Sequence, residues 1–206
     1  MAPPTQVDVS ISTSSIQIDN WQQLPPANPP QITLNGNALP APANSPPYQP
    51  IGTQVVVFDS SQDLTNPASI ISNRYQIVAN MQGDWAESFR WMWDSVATQI
   101  MSSGNVEQQV VILATFGLDI EMVPTAPTFR LGLDRGAGPQ LQEWGLLPPV
   151  SEGGYYIQFP TNYVLIGNSG YDYDEGYEIF QYDTQDSNPL TTTLTATIDN
   201  PGAPPT

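Results

Sequence analysis

Four carboxylates within eight residues, in Tyr171-Asp172-Tyr173-Asp174-Glu175-Gly176-Tyr177-Glu178, form the densest chemical cluster in the chain. Hard oxygen ligands at that density suit Ca²⁺, which takes about six to eight of them. Asp172, Asp174 and Glu175 are the residues that would serve, although the spacing lacks the long ligand register and terminal bidentate Glu of a helical calcium loop. A solvated acidic loop on a glycine turn accounts for the same residues, and no cofactor is expected. Glycoside hydrolysis needs two facing carboxyl groups about 5–9.5 Å apart. Glu121, Glu143 and Glu152 stand near aromatic or glycine-rich stretches, but their spacing selects no pair. Gly132, Gly136 and Gly138 lack the lysine and the strand-to-helix setting of a phosphate loop.

Absences narrow the chemistry further. There is no His, Lys or Cys, and the only bases are Arg74, Arg90, Arg130 and Arg135. An imidazole base, a Schiff-base amine and a thiolate nucleophile are all excluded, as are disulfides and imidazole or thiolate metal ligands. Twenty acidic residues bring the formal charge to −16. That charge repels phosphate backbones and anionic bilayers, so neither nucleic acid nor membrane is an expected partner. The N-terminus shows no basic segment followed by an apolar one, and no apolar run reaches spanning length. A chain made in the cytoplasm and left unglycosylated fits these features.

The elements that must position any site fall into three regions. Residues 1–50 carry eleven of the 22 prolines and two charges, Asp8 and Asp19, which predicts an extended proline-rich arm. Within it Val7, Val9 and Ile11, then Ile16 and Ile18, alternate with polar residues at strand spacing, and Trp21 follows. These six residues are the expected partner-binding set, docking by strand addition on a neighbouring subunit; packing on the chain's own domain is the alternative reading.

Residues 51–199 read as a β-rich head. Strands are expected at 54–58, 74–79, 109–116, 128–133, 155–159, 163–166, 177–182 and 191–198, a density that suits a β-sandwich or jelly roll. Trp85, Phe89, Met92, Val96 and Ile100 recur at helical spacing behind an Asp84/Glu87 capping box and stop at Ser102-Ser103-Gly104, which predicts one helix over about 85–101. A strand through Phe89, Trp91 and Trp93 competes with it. Residues 200–206 read as a flexible tail.

The succession Val110–Phe116, Thr128–Leu131, Gly154–Phe159 and Tyr163–Gly167 resembles the strand texture of trimeric jelly-roll heads of the C1q/TNF type, found on phage decoration and fibre proteins. The resemblance covers roughly residues 105–182. It implies a non-enzymatic virion structural protein, foremost a capsid decoration or cement protein. Such a protein would be trimeric, would be assembled in the host cytoplasm and carried on the virion, and would clamp the major capsid protein or other particle subunits through its arm. A surface glycan-binding or adhesin-type module, presenting Trp144 and tyrosines 155, 156, 171, 173 and 177, is the alternative. A carboxylate-only glycoside hydrolase is the third.

Overall fold

The computed structural model describes residues 5–14, 28–44, 51–78, 85–117, 121–123, 155–157, 161–168, 176–182 and 191–202. They build a mainly β protein with one helix, in which two antiparallel sheets face one another. Sheet A has the order β11-β1-β2-β3, from Thr191–Asp199, Gln6–Ser14, Gln31–Leu34 and Asn37–Ala38. Sheet B has the order β10-β9-β6-β4-β5, from Tyr177–Tyr182, Thr161–Asn168, Gln109–Phe116, Gly52–Asp59 and Ile70–Ile77. Two short strands, β7 (Glu121–Val123) and β8 (Tyr155–Ile157), pair with each other.

Alternation decides how sheet A sits. Val7, Val9 and Ile11 of β1 point inward with Ile32 and Leu34 of β2 and Leu194 and Ile198 of β11. Ser10 and Ser12 of β1, Thr33 of β2 and Thr193, Thr195 and Thr197 of β11 occupy the other face, toward solvent. The inward set meets Val56 and Phe58 of β4, Val110, Ile112 and Ala114 of β6, and Val164 and Ile166 of β9. This intersheet layer is the main core.

The expected division at residue 50 does not survive this arrangement. β1 is an interior strand, paired along nine residues with β11, from Gln6↔Asp199 to Ser14↔Thr191, and on its other side with β2. Val7, Val9 and Ile11 are essentially inaccessible, at 0–1% exposure. Their docking on a neighbouring subunit is therefore corrected: their alternation reports burial in the chain's own core, where that apolar surface and both edges of the strand are already used. Ile16, Ile18 and Trp21 lie outside the described residues, as does the expected strand at 128–133. The Asn35-Gly36 turn joining β2 to β3 has φ of 48° and 76°, the left-handed pair that a two-residue hairpin turn requires.

The central strands of sheet B are buried on both faces. Thr53, Val55, Val57, Val111, Leu113 and Leu165 lie opposite the intersheet core and are no more exposed than the core itself. Helix α1 (Trp85–Ser102) lies over β4 and β5 on that side. It turns Met92, Trp93, Val96, Ala97 and Ile100 inward, and the Thr53 hydroxyl contacts the Met92 sulfur at 3.7 Å. The helical reading of 85–101 holds, and the competing strand does not. Gln99 fixes the helix to the sheet: its amide N–H groups donate to the Val55 carbonyl at 3.0 Å and the Ser72 hydroxyl at 2.9 Å, while its oxygen accepts from Gln76 at 2.7 Å. The helix ends where Ser103 and Gln109 satisfy the last carbonyls, those of Gln99, Ile100 and Ser103, and where Gly104 adopts φ 71°.

Asn200, placed in the expected tail, is an anchor. Its backbone N–H donates to Thr5 O at 2.9 Å, its side-chain oxygen accepts from Leu64 N at 2.9 Å, and its amide donates to Asp63 at 2.8 Å. Leu64 is thereby seated in the core. Gly202 runs so close to the Gln62 backbone that a Cβ there would lie 2.0 Å from it, which excludes any side chain.

Candidate docking face

The residues singled out for catalysis or metal binding gain no described geometry. Asp172, Asp174, Glu175, Glu143 and Glu152 fall outside the described residues, and Glu121 is placed in β7 without a described side chain. Among the described residues no group of three acidic side chains is arranged to hold a metal ion. Of the aromatic set proposed for glycans, only Tyr177 has a described side chain; it is partly exposed, and its hydroxyl donates to the Thr197 carbonyl at 3.2 Å.

The surface feature that sequence reasoning missed is the outer face of α1 together with β5. Opposite its buried stripe, α1 presents Trp91, Ser95, Thr98 and Met101, one residue per turn along a single line. Trp91 is 51% exposed and Met101 48%. Ile71 of β5, at 41%, lies at the same end as the helix C-terminus, its Cδ1 3.4 Å from where a Cβ on Gly104 would stand. Three of the four large apolar side chains exposed among the described residues thus belong to these two elements; Tyr177 is the fourth.

Charge sets the same face apart. β5 and α1 together carry Arg74, Arg90, Glu87 and Asp94, two bases against two acids, so the whole excess of sixteen negative charges lies elsewhere in the chain. Beside β5 an open depression of about 320 Å³ is lined by Pro40, Pro67, Ile71, Ser72, Asn73 and Arg74 among others, a mixed apolar and polar wall that includes one cation. The β5 edge behind it is already covered. Ala43 N donates to Asn73 O at 2.8 Å, and the Asn44 side chain bonds both the N–H and the C=O of Tyr75 at 2.8 Å. A partner here would therefore meet side chains, not an open strand.

Two carboxylates, Asp59 at the end of β4 and Asp63 in the connection to β5, are tuned by their surroundings without forming a site. Asp59 is held below the ordinary carboxylate value by hydrogen bonds from the Ser61 hydroxyl, the Gln62 amide and the Ser61 N–H. For Asp63, partial desolvation pushes upward, but hydrogen bonds from Asn200 and Thr65 outweigh it and the net shift is down. Burial raises the Tyr75 phenol, which packs edge-on against Phe116 with ring centroids 5.7 Å apart. The signal for the docking face was present as a break in composition: Trp91, Ser95, Thr98 and Met101 recur at helical spacing without a charge among them in a strongly acidic chain. No family model and no curated protein matches this sequence.

Proposed function

We propose that the chain is a non-catalytic structural subunit of a virus particle, a capsid decoration or cement protein, seated on the particle through the outer face of α1 and β5. One observation carries this reading: three of the four large apolar side chains exposed among the described residues, Trp91, Met101 and Ile71, lie on α1 and β5, two elements together without net charge in an otherwise acidic chain. Exposed Trp, Met and Ile side chains in one patch mark interaction surfaces, and Trp is the residue type most often found at their energetic centre. The remaining acidic surface would face solvent and keep the particle soluble. The docking element thus moves from the N-terminal strand, which the core consumes, to the helix. The absence of His, Lys and Cys supports a non-catalytic role.

The test is co-sedimentation of the purified protein with capsids from its source. Trp91→Ala should weaken binding about 30-fold or more, the loss that about 2 kcal/mol at a hot spot represents. It should leave thermal unfolding nearly unchanged, because the side chain is half in water already. Ser10→Ala, on the solvent face of sheet A, should bind as the parent does. Absence of the parent protein from the capsid pellet would refute the reading, and equal binding by Trp91→Ala would move the interface elsewhere.

A further inference from the structure

The four sheet edges are treated unequally. β5 is covered by residues 40–44, β3 is only two residues long, and β10 is six residues long and carries Glu178. β11 runs nine residues, Thr-Thr-Thr-Leu-Thr-Ala-Thr-Ile-Asp, in unbroken register with β1. It has no proline, no lysine and no bulge to keep it from pairing with another chain, and its single charge, Asp199, stands at its end.

The register shows which groups face outward. Asp8 uses its backbone toward the β2 side, where Asn35 N donates to Asp8 O at 2.7 Å. Its cross-strand partner Thr197 is therefore a non-hydrogen-bonded position and turns its own N–H and C=O away from β1. The same parity applies to Thr195, Thr193 and Thr191. Where β10 comes alongside β11, the Tyr177 hydroxyl donates to the Thr197 carbonyl on this edge.

We infer that β11 pairs with β11 of a second copy, antiparallel about a two-fold axis at Thr193. The occupant follows from self-complementarity. A two-fold contact opposes the strand to itself, and Thr191, Thr193 and Thr195 are uncharged, small and β-branched, a set suited to cross-strand pairing. Centring on Thr193 opposes Thr191 to Thr195 of the second copy and leaves the Tyr177–Thr197 bond intact. It also keeps Asp199 and Asp8 outside the paired stretch, the best separation available to two chains of −16 each. Assembly stops at two, because the far edge of sheet A is the two-residue β3. This interface is separate from the α1–β5 face and stands or falls without it.

The test is the native mass by light scattering across micromolar to submillimolar concentrations, for the full chain and three variants. The parent should be dimeric, and added salt should strengthen the dimer by screening repulsion between the two acidic bodies. Thr193→Pro removes the central outward N–H, which β1 does not use, and should give monomers. Should that variant not fold, Thr193→Lys answers the same question by placing two like charges opposite each other at the axis. Ser10→Lys, on the same face but on an interior strand, should remain dimeric. A monomeric or trimeric parent, or a dimer indifferent to both Thr193 variants, would overturn the inference.

Discussion

Sheets A and B are built on opposite rules although they share one core. In β1 the buried positions are every second residue, with Gln, Asp and Ser between them facing water. In β6 every residue from Gln109 to Phe116 is buried, and in β4 all but Asp59. A sheet with one wet face reads as alternation, and a sheet covered on both faces reads as a continuous apolar run. The difference separates the work of the two sheets. The central strands of sheet B have no face to spare and serve as the middle layer, so recognition must fall to what lies beyond them: the outer side of α1 with the edge strand β5, and the edge of sheet A.

Removing residues 1–14 is the strongest way to break this comparison. If sheet A is a full half of the core, the loss of its interior strand strips Val7, Val9 and Ile11 from the intersheet layer and leaves β11 and β2 without their common neighbour. The truncated chain should show no cooperative thermal transition by circular dichroism. A transition at the parent temperature would restore residues 1–14 to the role of a separate arm.

Neighbouring substitutions sharpen the contrast. Ile112→Ala and Leu113→Ala point to opposite faces of β6, and each should cost about 2–5 kcal/mol, because both faces are packed. In β1 the same neighbour test should split: Ile11→Ala should cost about as much as either, whereas Ser12→Ala should stay within about 0.5 kcal/mol. Urea titrations of the four variants decide it. A silent Leu113→Ala would mean that the far face of sheet B is not truly closed.

Much of this was legible in local pattern. The period-two alternation of β1 and β11, the apolar run of β6 and the four-residue spacing of Met92, Val96 and Ile100 each predict an element that is found. What local pattern lacks is the identity of the neighbour. Alternation at Val7–Ile11 states that one face is buried, but not that sheet B covers it, nor that the strand pairs with Leu194–Ile198, some 190 residues away. Proline density then made residues 1–50 look like an arm. Of the two crowded tryptophans Trp93 is buried and Trp91 exposed, because two residues of helix turn their side chains about 200° apart. Asn200 in Asn-Pro-Gly resembled the start of a tail, since its bonds to Thr5, Asp63 and Leu64 are all distant in sequence.

The link between sheet B and its helix should yield a smaller effect. Gln99→Ala withdraws the donor to Val55 O and Ser72 and leaves the Gln76 amide without its acceptor, in a region mostly closed to water. Losses of this kind cost about 1–3 kcal/mol. Amide exchange in α1 should accelerate more than exchange in β1, because the lesion lies between helix and sheet B. Uniform acceleration across both sheets would show that the helix is not a separable layer.

The smallest expected effect belongs to the loop that closes the end of the sandwich. Asp63 has a folded-state pKa below its ordinary 3.8, so the native state favours the carboxylate and the unfolded state binds the proton more readily near that pH. Its contribution is therefore fully present above the unfolded value and is lost as pH falls through the lower folded value. Asp63→Asn keeps an oxygen that can accept from Asn200 and Thr65 but carries no charge. The parent should unfold at a slightly higher temperature than this variant at neutral pH, and the two should converge as the medium is acidified below about pH 4. The gap will be modest, since an exposed carboxylate is well screened by solvent. A gap of constant size across the acid range would show that the Asp63 carboxylate charge adds nothing to the seating of Leu64, and that Asn200 holds the loop through neutral hydrogen bonds alone.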